Sequence, residues 1–200
     1  MRNKIYSEKR RKLYRFVNQV LKNSFITKLI HKDTKDQSIE IDALTGVYNQ
    51  FGINQFVKEL HPQETTHYGI LLINIDNLDE IRTQYNQKSG DKVIYEVAQK
   101  LAHNIRETDL IGRLSDSEFI LILNDINQAQ MTQIAGRLLN AIQAHPIKLK
   151  NKEILPMLSY GISVSDHQSK SQDVLQQADH NRFMMKDQSN PFYAESQTLS

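Results

Sequence analysis

Cysteine is absent from all 200 residues. This excludes a disulfide framework, a thiolate-held metal and a cysteine nucleophile, and it agrees with a reducing compartment. No apolar stretch approaches the roughly 18 residues that a membrane-spanning helix needs. The basic start, residues 1–12, is not followed by the uninterrupted apolar run of a cleaved signal peptide. There is no glycine-rich phosphate loop and no Gly-x-Ser-x-Gly elbow, and there is no internal repeat or low-complexity segment. His61, His67, His103, His145, His167 and His180 are scattered without ligand spacing, so they form no metal signature and read as surface or core residues. What remains is one domain of about 150 residues plus an extension, large enough to hold a core without staples.

The formal net charge of +2 conceals an asymmetry. Residues 1–35 carry 11 Lys/Arg against 2 Asp/Glu, and the rest of the chain carries 14 against 21. The sequence pI of about 8.7 therefore describes an arm, and it is poor support for nucleic-acid binding by the domain. Leu13, Phe16, Val17, Val20, Leu21, Leu29 and Ile30 recur at three- and four-residue spacing, which predicts a helix over residues 4–31. Lys9, Arg10, Arg11, Lys12 and Arg15 crowd its front. Such a helix packs on its own domain or a dimer mate, lies on an anionic membrane, or meets an acidic partner. The first is the leading expectation, with nucleic acid last. A cytoplasmic location is expected, with the membrane's inner face as the site of any peripheral attachment. His31–Ser38 is a polar linker, so residues 1–38 form the arm, 39–192 the domain and 193–200 a tail.

From Ile39 the pattern changes. Asp42–Gly46 reads as a turn, and 49–60 as a helix burying Phe51, Phe56, Val57 and Leu60. Tyr68–Ile75 (YGILLINI) is a buried strand, and Leu78, Ile81 and Tyr85 mark a short helix. Val93, Ile94, Val97, Ala98 and Leu101 stripe a longer helix over about 89–105. Leu110–Leu114 and Phe119–Leu123 form a hairpin with the polar tip Ser115-Asp116-Ser117-Glu118. A helix over 128–144, a strand within 155–164 and a helix over 173–186 complete the order. That order predicts an α/β (α+β) sandwich whose central, mainly antiparallel sheet of about five strands is flanked by helices.

Seven segments, in order and in spacing, resemble the GGDEF domain, the diguanylate cyclase family. Asp42-Ala43-Leu44-Thr45-Gly46 is similar to the opening D-x-L-T-G. Asn74-Ile75-Asp76-Asn77-Leu78 falls on D-x-D-x-F, and Ser89-Gly90-Asp91 falls on the G-D that opens the long helix. Arg106-Glu107-Thr108-Asp109 matches R-x-x-D, and Ser115-Asp116-Ser117-Glu118-Phe119 occupies GGDEF itself. Ser159-Tyr160-Gly161 and Ala178-Asp179 with Lys186 match the last strand and helix. The resemblance covers about 39–190 and implies the nucleotidyl-cyclase-like sandwich.

The resemblance also implies chemistry that this sequence departs from. Family members join two GTP molecules with the help of divalent metal, which wants hard, anionic oxygen ligands. The two implied metal carboxylates are here Asn74 and Ser117, leaving Asp76 and Glu118 nearby, so Mg²⁺ is not expected to bind as in active members. The two glycines of the tip are Ser115 and Asp116, and a carboxylate at 116 is expected to repel phosphate. Of the implied guanine-reading pair, the asparagine is Arg82 and the aspartate, Asp91, is kept. Asp91 also reads simply as a helix-start residue capping free amides. Lys186 matches a phosphate-side lysine. Phe119 keeps its place. No catalytic residue and no cofactor is therefore expected. The R-x-x-D pair implies a cyclic-di-GMP site made by Arg106 and Asp109, with Arg137 as a further arm. A plain surface ion pair is the alternative reading of those residues. The function expected is a catalytically inactive cyclic-di-GMP receptor. A nucleotide-independent protein scaffold or homodimer comes second, and a weak cyclase last.

Overall fold

The computed structural model describes residues 40–60, 67–149, 152–166 and 168–188, the side chains of Glu59 and of residues 184–188 excepted. The expected helix over 4–31, the linker and the tail lie outside these residues. The elements are α1 (Gln50–Glu59), β1 (Tyr68–Ile75), α2 (Leu78–Gln84), α3 (Gln87–His103), β2 (Leu110–Arg113) and β3 (Glu118–Asn124). They continue with α4 (Gln128–Gln143), β4 (Ile147–Leu149), β5 (Lys152–Ile154), β6 (Leu158–Val164) and α5 (Ser171–Gln188).

Four strands form the main sheet in the order β2-β3-β1-β6, and every pairing is antiparallel. Strand β1 is central and buried along its whole length, which is why its eight residues read as an almost continuous apolar run. A fifth edge is reduced to one parallel bridge, Tyr48 to Gly112. Arg113 N donates to Tyr48 O at 2.7 Å, and Tyr48 N donates to Ile111 O at 3.3 Å. The expected count of about five strands is met only by including that bridge. The separate β4–β5 hairpin carries no sequence signal, since three-residue strands are too short to display a period.

Side-chain alternation sorts the helices. A Cβ on Gly69 would strike Met131 of α4. One on Gly161, which pairs with Leu72, would lie 2.0 Å from Ala178 O and 2.3 Å from Arg182 N of α5, and one on Gly112 would strike Ile53 of α1. Thus α1 and α5 cover one face and α4 the other, with α3 packed on α2 and α4. Three of the helix starts, those of α1, α3 and α4, are chemically marked. Asn49, Asn86 and Asn127 accept from the amides of Gly52, Ser89 and Gln130, and Asn127 and Gln130 complete a capping box. These caps satisfy amides that a helix leaves open.

One core assignment is corrected. Phe51 is 49% exposed, and Ile53 at 1% takes the inward position. At 100° per residue, 53, 56, 57 and 60 share a stripe that 51 misses.

The closest approach of strand to helix yields a test. Gly161→Ala must push main-chain atoms of α5 off β6, a strain of about 1–3 kcal/mol. Thermal unfolding should fall by several degrees, and an unchanged midpoint would contradict this packing.

Candidate functional site at the end of the central strand

Strand β1 brings Asn74 to its C-terminal end on the face covered by α5. Its partners in register are Glu118 on β3 and Ser159 on β6. The side chains there form a relay. Ser117 Oγ donates to Asn74 Oδ1 at 2.7 Å. Asn74 Nδ2 donates to Asp76 Oδ1 at 2.6 Å. Ser159 Oγ donates to the same oxygen at 2.9 Å. Asn74 and Ser159 are buried, so these bonds occur where losing one leaves a polar group stranded. Positions 74 and 117, expected from the resemblance to lie together, do so, and they bond to each other directly. Glu118 forms an ion pair with Arg182, Oε1 to Nη2 at 3.0 Å, and accepts from Ser115 Oγ at 3.2 Å. Phe119 is fully buried in the core. Among the described residues, no three His, Asp or Glu are grouped so as to hold a metal ion.

Beside the relay runs a line of alternating charges. Arg82 of α2 forms a two-pronged pair with Asp116 at the hairpin tip, with Nη2 to Oδ1 at 3.0 Å. It also reaches Asp91 of α3 at 3.5 Å. Asp116 meets Arg113 at 3.0 Å, and Arg113 meets Asp42 at 3.3 Å. The Arg82 stem lies over Gly90, where a Cβ would come within 2.6 Å of it. The hydrogen bond from Arg82 pulls the Asp116 carboxyl below its ordinary value, and the same bond makes the Arg82 guanidinium harder to deprotonate. Asp116, expected to repel phosphate, is held by two guanidiniums, those of Arg82 and Arg113. Asp91 does not cap α3. Asn86 does, and Asp91 accepts from Gln87 at 3.0 Å as well as pairing with Arg82.

The R-x-x-D segment lies at the opposite end of β3. Asp109 is 4% exposed. Its oxygens accept from the main-chain amides of Arg106 at 2.9 Å and Asn124 at 3.2 Å. Burial pushes its carboxyl above the usual range, against the pull of those bonds and of the nearby Arg106 and Arg137 charges. The Arg106 residue is exposed, and Arg137 Nη2 donates to Asn104 O at 2.9 Å. Arg106, Asp109 and Arg137 are thus neighbours, as expected, but the carboxylate shapes the turn instead of facing outward. Lys186 lies on α5, its side chain outside the description.

Sequence reasoning missed Asp42, Arg113, Ser159 and Arg182 as partners in the site. Only the Asp179–Arg182 spacing of three residues on α5 carried a local hint. The others meet through the sheet.

Two unfolding experiments probe this account. Asp109→Asn should cost about 1–3 kcal/mol, since the amide nitrogen confronts a main-chain donor. In a double-mutant cycle, Arg82→Ala and Asp116→Ala should couple by roughly 0.5–1 kcal/mol, the modest value of a part-exposed pair. Urea unfolding reads both. The share of stability from Asp116 should be present above about pH 3.9 and lost as pH falls toward its lowered value.

The comparisons with known proteins agree with one another. The family profile described as "Diguanylate cyclase, GGDEF domain" matches residues 39–190. The uncharacterized protein YhcK of Bacillus subtilis is 34% identical over 131 residues, 64% of this chain and 36% of its own. Diguanylate cyclase DosC of Escherichia coli is 25% identical over 161 residues, 78% of this chain and 35% of its own. The chain therefore spans little more than a third of the length of these relatives. Among solved structures, the GGDEF domain of DgcB from Caulobacter crescentus, in complex with c-di-GMP, superposes with a TM-score of 0.72 at 15% identity. That match covers 78% of this chain and 95% of that one. The diguanylate cyclase SiaD of Pseudomonas aeruginosa, in complex with its activator SiaC, superposes with a TM-score of 0.71 at 21% identity. It covers 91% of this chain and 72% of that one. At these identities the superpositions speak to fold alone. With the profile matching residues 39–190, most of the chain, this protein belongs to the GGDEF family of diguanylate cyclase domains.

Proposed function

We propose that this domain serves cyclic-di-GMP signalling as a regulatory module that does not synthesise the dinucleotide and binds it at the Arg106 turn. The observation supporting the first half is the 2.7 Å hydrogen bond from Ser117 to Asn74. A divalent cation in such a site supplies charge neutralisation to the phosphates and acidity to the attacking hydroxyl. The residues present do not fit one. The Asn74 carbonyl oxygen and the Ser117 hydroxyl are neutral and spent on each other. Asp76 is engaged by Asn74 and Ser159, and Glu118 by Arg182. Base recognition is compromised by the same logic, because Arg82 is paired with Asp91, the other implied base contact.

Support for the second half comes from the exposed Arg106 with Arg137 beside it. Two guanidiniums offer planar forks to phosphate oxygens and a stacking face to a purine. The carboxylate of Asp109 fixes the turn that presents Arg106, so base contact falls to the guanidiniums. No helix among the described residues is long and apolar enough to cross a membrane, and a cytoplasmic role is part of this reading.

Three measurements test it. Incubation with GTP and Mg²⁺ or Mn²⁺ should yield no cyclic dinucleotide, and a product abolished by Glu118→Ala would refute the first half. Mn²⁺ should leave the melting temperature of the natural chain unchanged but raise that of the Asn74→Asp/Ser117→Asp double variant. Calorimetry with cyclic di-GMP should give binding that Arg106→Ala weakens by about tenfold or more, the loss of one charge-assisted contact. No heat, or equal binding by the variant, would remove the receptor role.

A further inference from the structure

The two outer edges of the main sheet differ. On β2 the outer flank is occupied, since Arg113 N donates to Tyr48 O and Tyr48 N donates to Ile111 O. On β6 the outer flank is open. The register fixes which groups lie there. Asp76 N donates to Met157 O and Ser165 N donates to Tyr68 O, so the odd-numbered residues of this segment turn their main-chain groups toward β1. The even-numbered ones, Leu158, Tyr160, Ile162 and Val164, turn theirs away. Among the described residues one of these outward groups has a hydrogen bond: Ile162 O accepts from Asn181 Nδ2 of α5 at 2.8 Å. That carbonyl keeps a second lone pair.

The side chains of the same four residues are half-buried and pack against the core. Val164 pairs with Gly69, on which a Cβ would strike Met131, so this row lies on the α4 face. Exposed sheet edges are ordinarily guarded by a charge, a proline or a bulge. Residues 157–165 hold no charge and no proline, and the register of β6 on β1 is unbroken.

Two features select the occupant. Outward N–H and C=O groups at every second residue have the spacing of a β-ladder, which an extended main chain matches and a helix does not. The second feature is the seat of α5, directly over β6. A Cβ on Gly161 would strike Ala178 and Arg182 of α5, and Asn181 reaches past the strand to its outer carbonyl. A second copy joined β6 to β6 about a twofold axis would bring its own α5 to within one strand spacing, roughly 5 Å, where packed helices need about 8–10 Å. A single extended segment carries no such helix. We propose that β6 takes up an extended segment of a partner protein as an added antiparallel strand. The segment is uncharged, with apolar residues opposite Leu158, Tyr160, Ile162 and Val164. Its intervening residues face α5, where Gln177 donates to Asn181 Oδ1 at 3.0 Å, and small or polar side chains suit them. This surface goes beyond the nucleotide reading and does not depend on it.

Amide hydrogen exchange of the full chain, followed by NMR, tests the proposal. In the free protein the amides of Tyr160, Ile162 and Val164 should exchange about a hundredfold faster than those of Gly161 and Ser163. A capped seven-residue peptide alternating threonine and valine should slow the three fast amides about tenfold or more near saturation. Methylating the peptide nitrogens of the valines, whose N–H groups point at β6 in this register, should abolish the effect, and methylating those of the threonines should not. Ile162→Pro removes an outward donor and leaves the pairing with β1. It should weaken the peptide about tenfold with the circular dichroism unchanged. No effect of the unmodified peptide, or equal effects of the two methylated ones, overturns the proposal. Slow exchange of the three amides in the free chain overturns it as well. A rate that then varies with protein concentration assigns the edge to a second copy, and a constant rate assigns it to the chain's own residues.

Discussion

Two carboxylates about 4 Å apart repel by roughly 4 kcal/mol at an effective dielectric constant of 20, so a fold that carries such a pair depends on a cation to hold it. A hydroxyl and an amide at the same two positions need none. Ser117 donates to Asn74, Asn74 donates to Asp76, and Ser159 donates to Asp76 from the far side. Three strands and the hairpin tip are drawn together at the end of β1 by neutral donors around one carboxylate. The register of β3 and β6 on β1 makes this relay possible, and the relay in turn leaves the sheet end complete without a bound ion.

The departures from the family pattern are organised in pairs. Asn74 matches Ser117, and Arg82 matches Asp116. Each member alone would be costly, since an arginine over Gly90 without Asp116 is a part-buried charge and an aspartate at the tip without Arg82 loses its two-pronged partner. Together they engage most of the polar groups at this end of the sheet with one another, although the buried Arg82 Nε has no hydrogen-bond partner among the described residues. That mutual pairing adds support to the proposed non-synthesising role.

Much of this was legible in the chain itself. The apolar run of β1, the stripes of α3 and α4 and the polar tip between two short strands each announce their element, because a buried strand and a half-buried helix impose periods that composition records. The register of the seven segments placed positions 74, 82, 91 and 117 in one site. Contacts that cross the sheet were not readable. Nothing near Arg113 in sequence points to Asp42, and nothing near Glu118 points to Arg182. Phe51 was misplaced because hydrophobicity was weighed above helical phase. Asp109 is the most instructive case. A ligand contact and a surface ion pair were the readings that spacing allowed, whereas its carboxylate is buried on two main-chain amides, a role that only the packing of the turn against β3 reveals.

The bridge between Tyr48 and β2 has a mechanical meaning. The chain enters the domain through a segment hydrogen-bonded to Ile111 and Arg113, and the Arg113 side chain grips both Asp42 and the hairpin tip. Tension or torque arriving along the entering chain is therefore borne first by β2 and its hairpin, before it reaches the central strands. An upstream element that twists or pulls would have its lever at the tip of that hairpin, already attached.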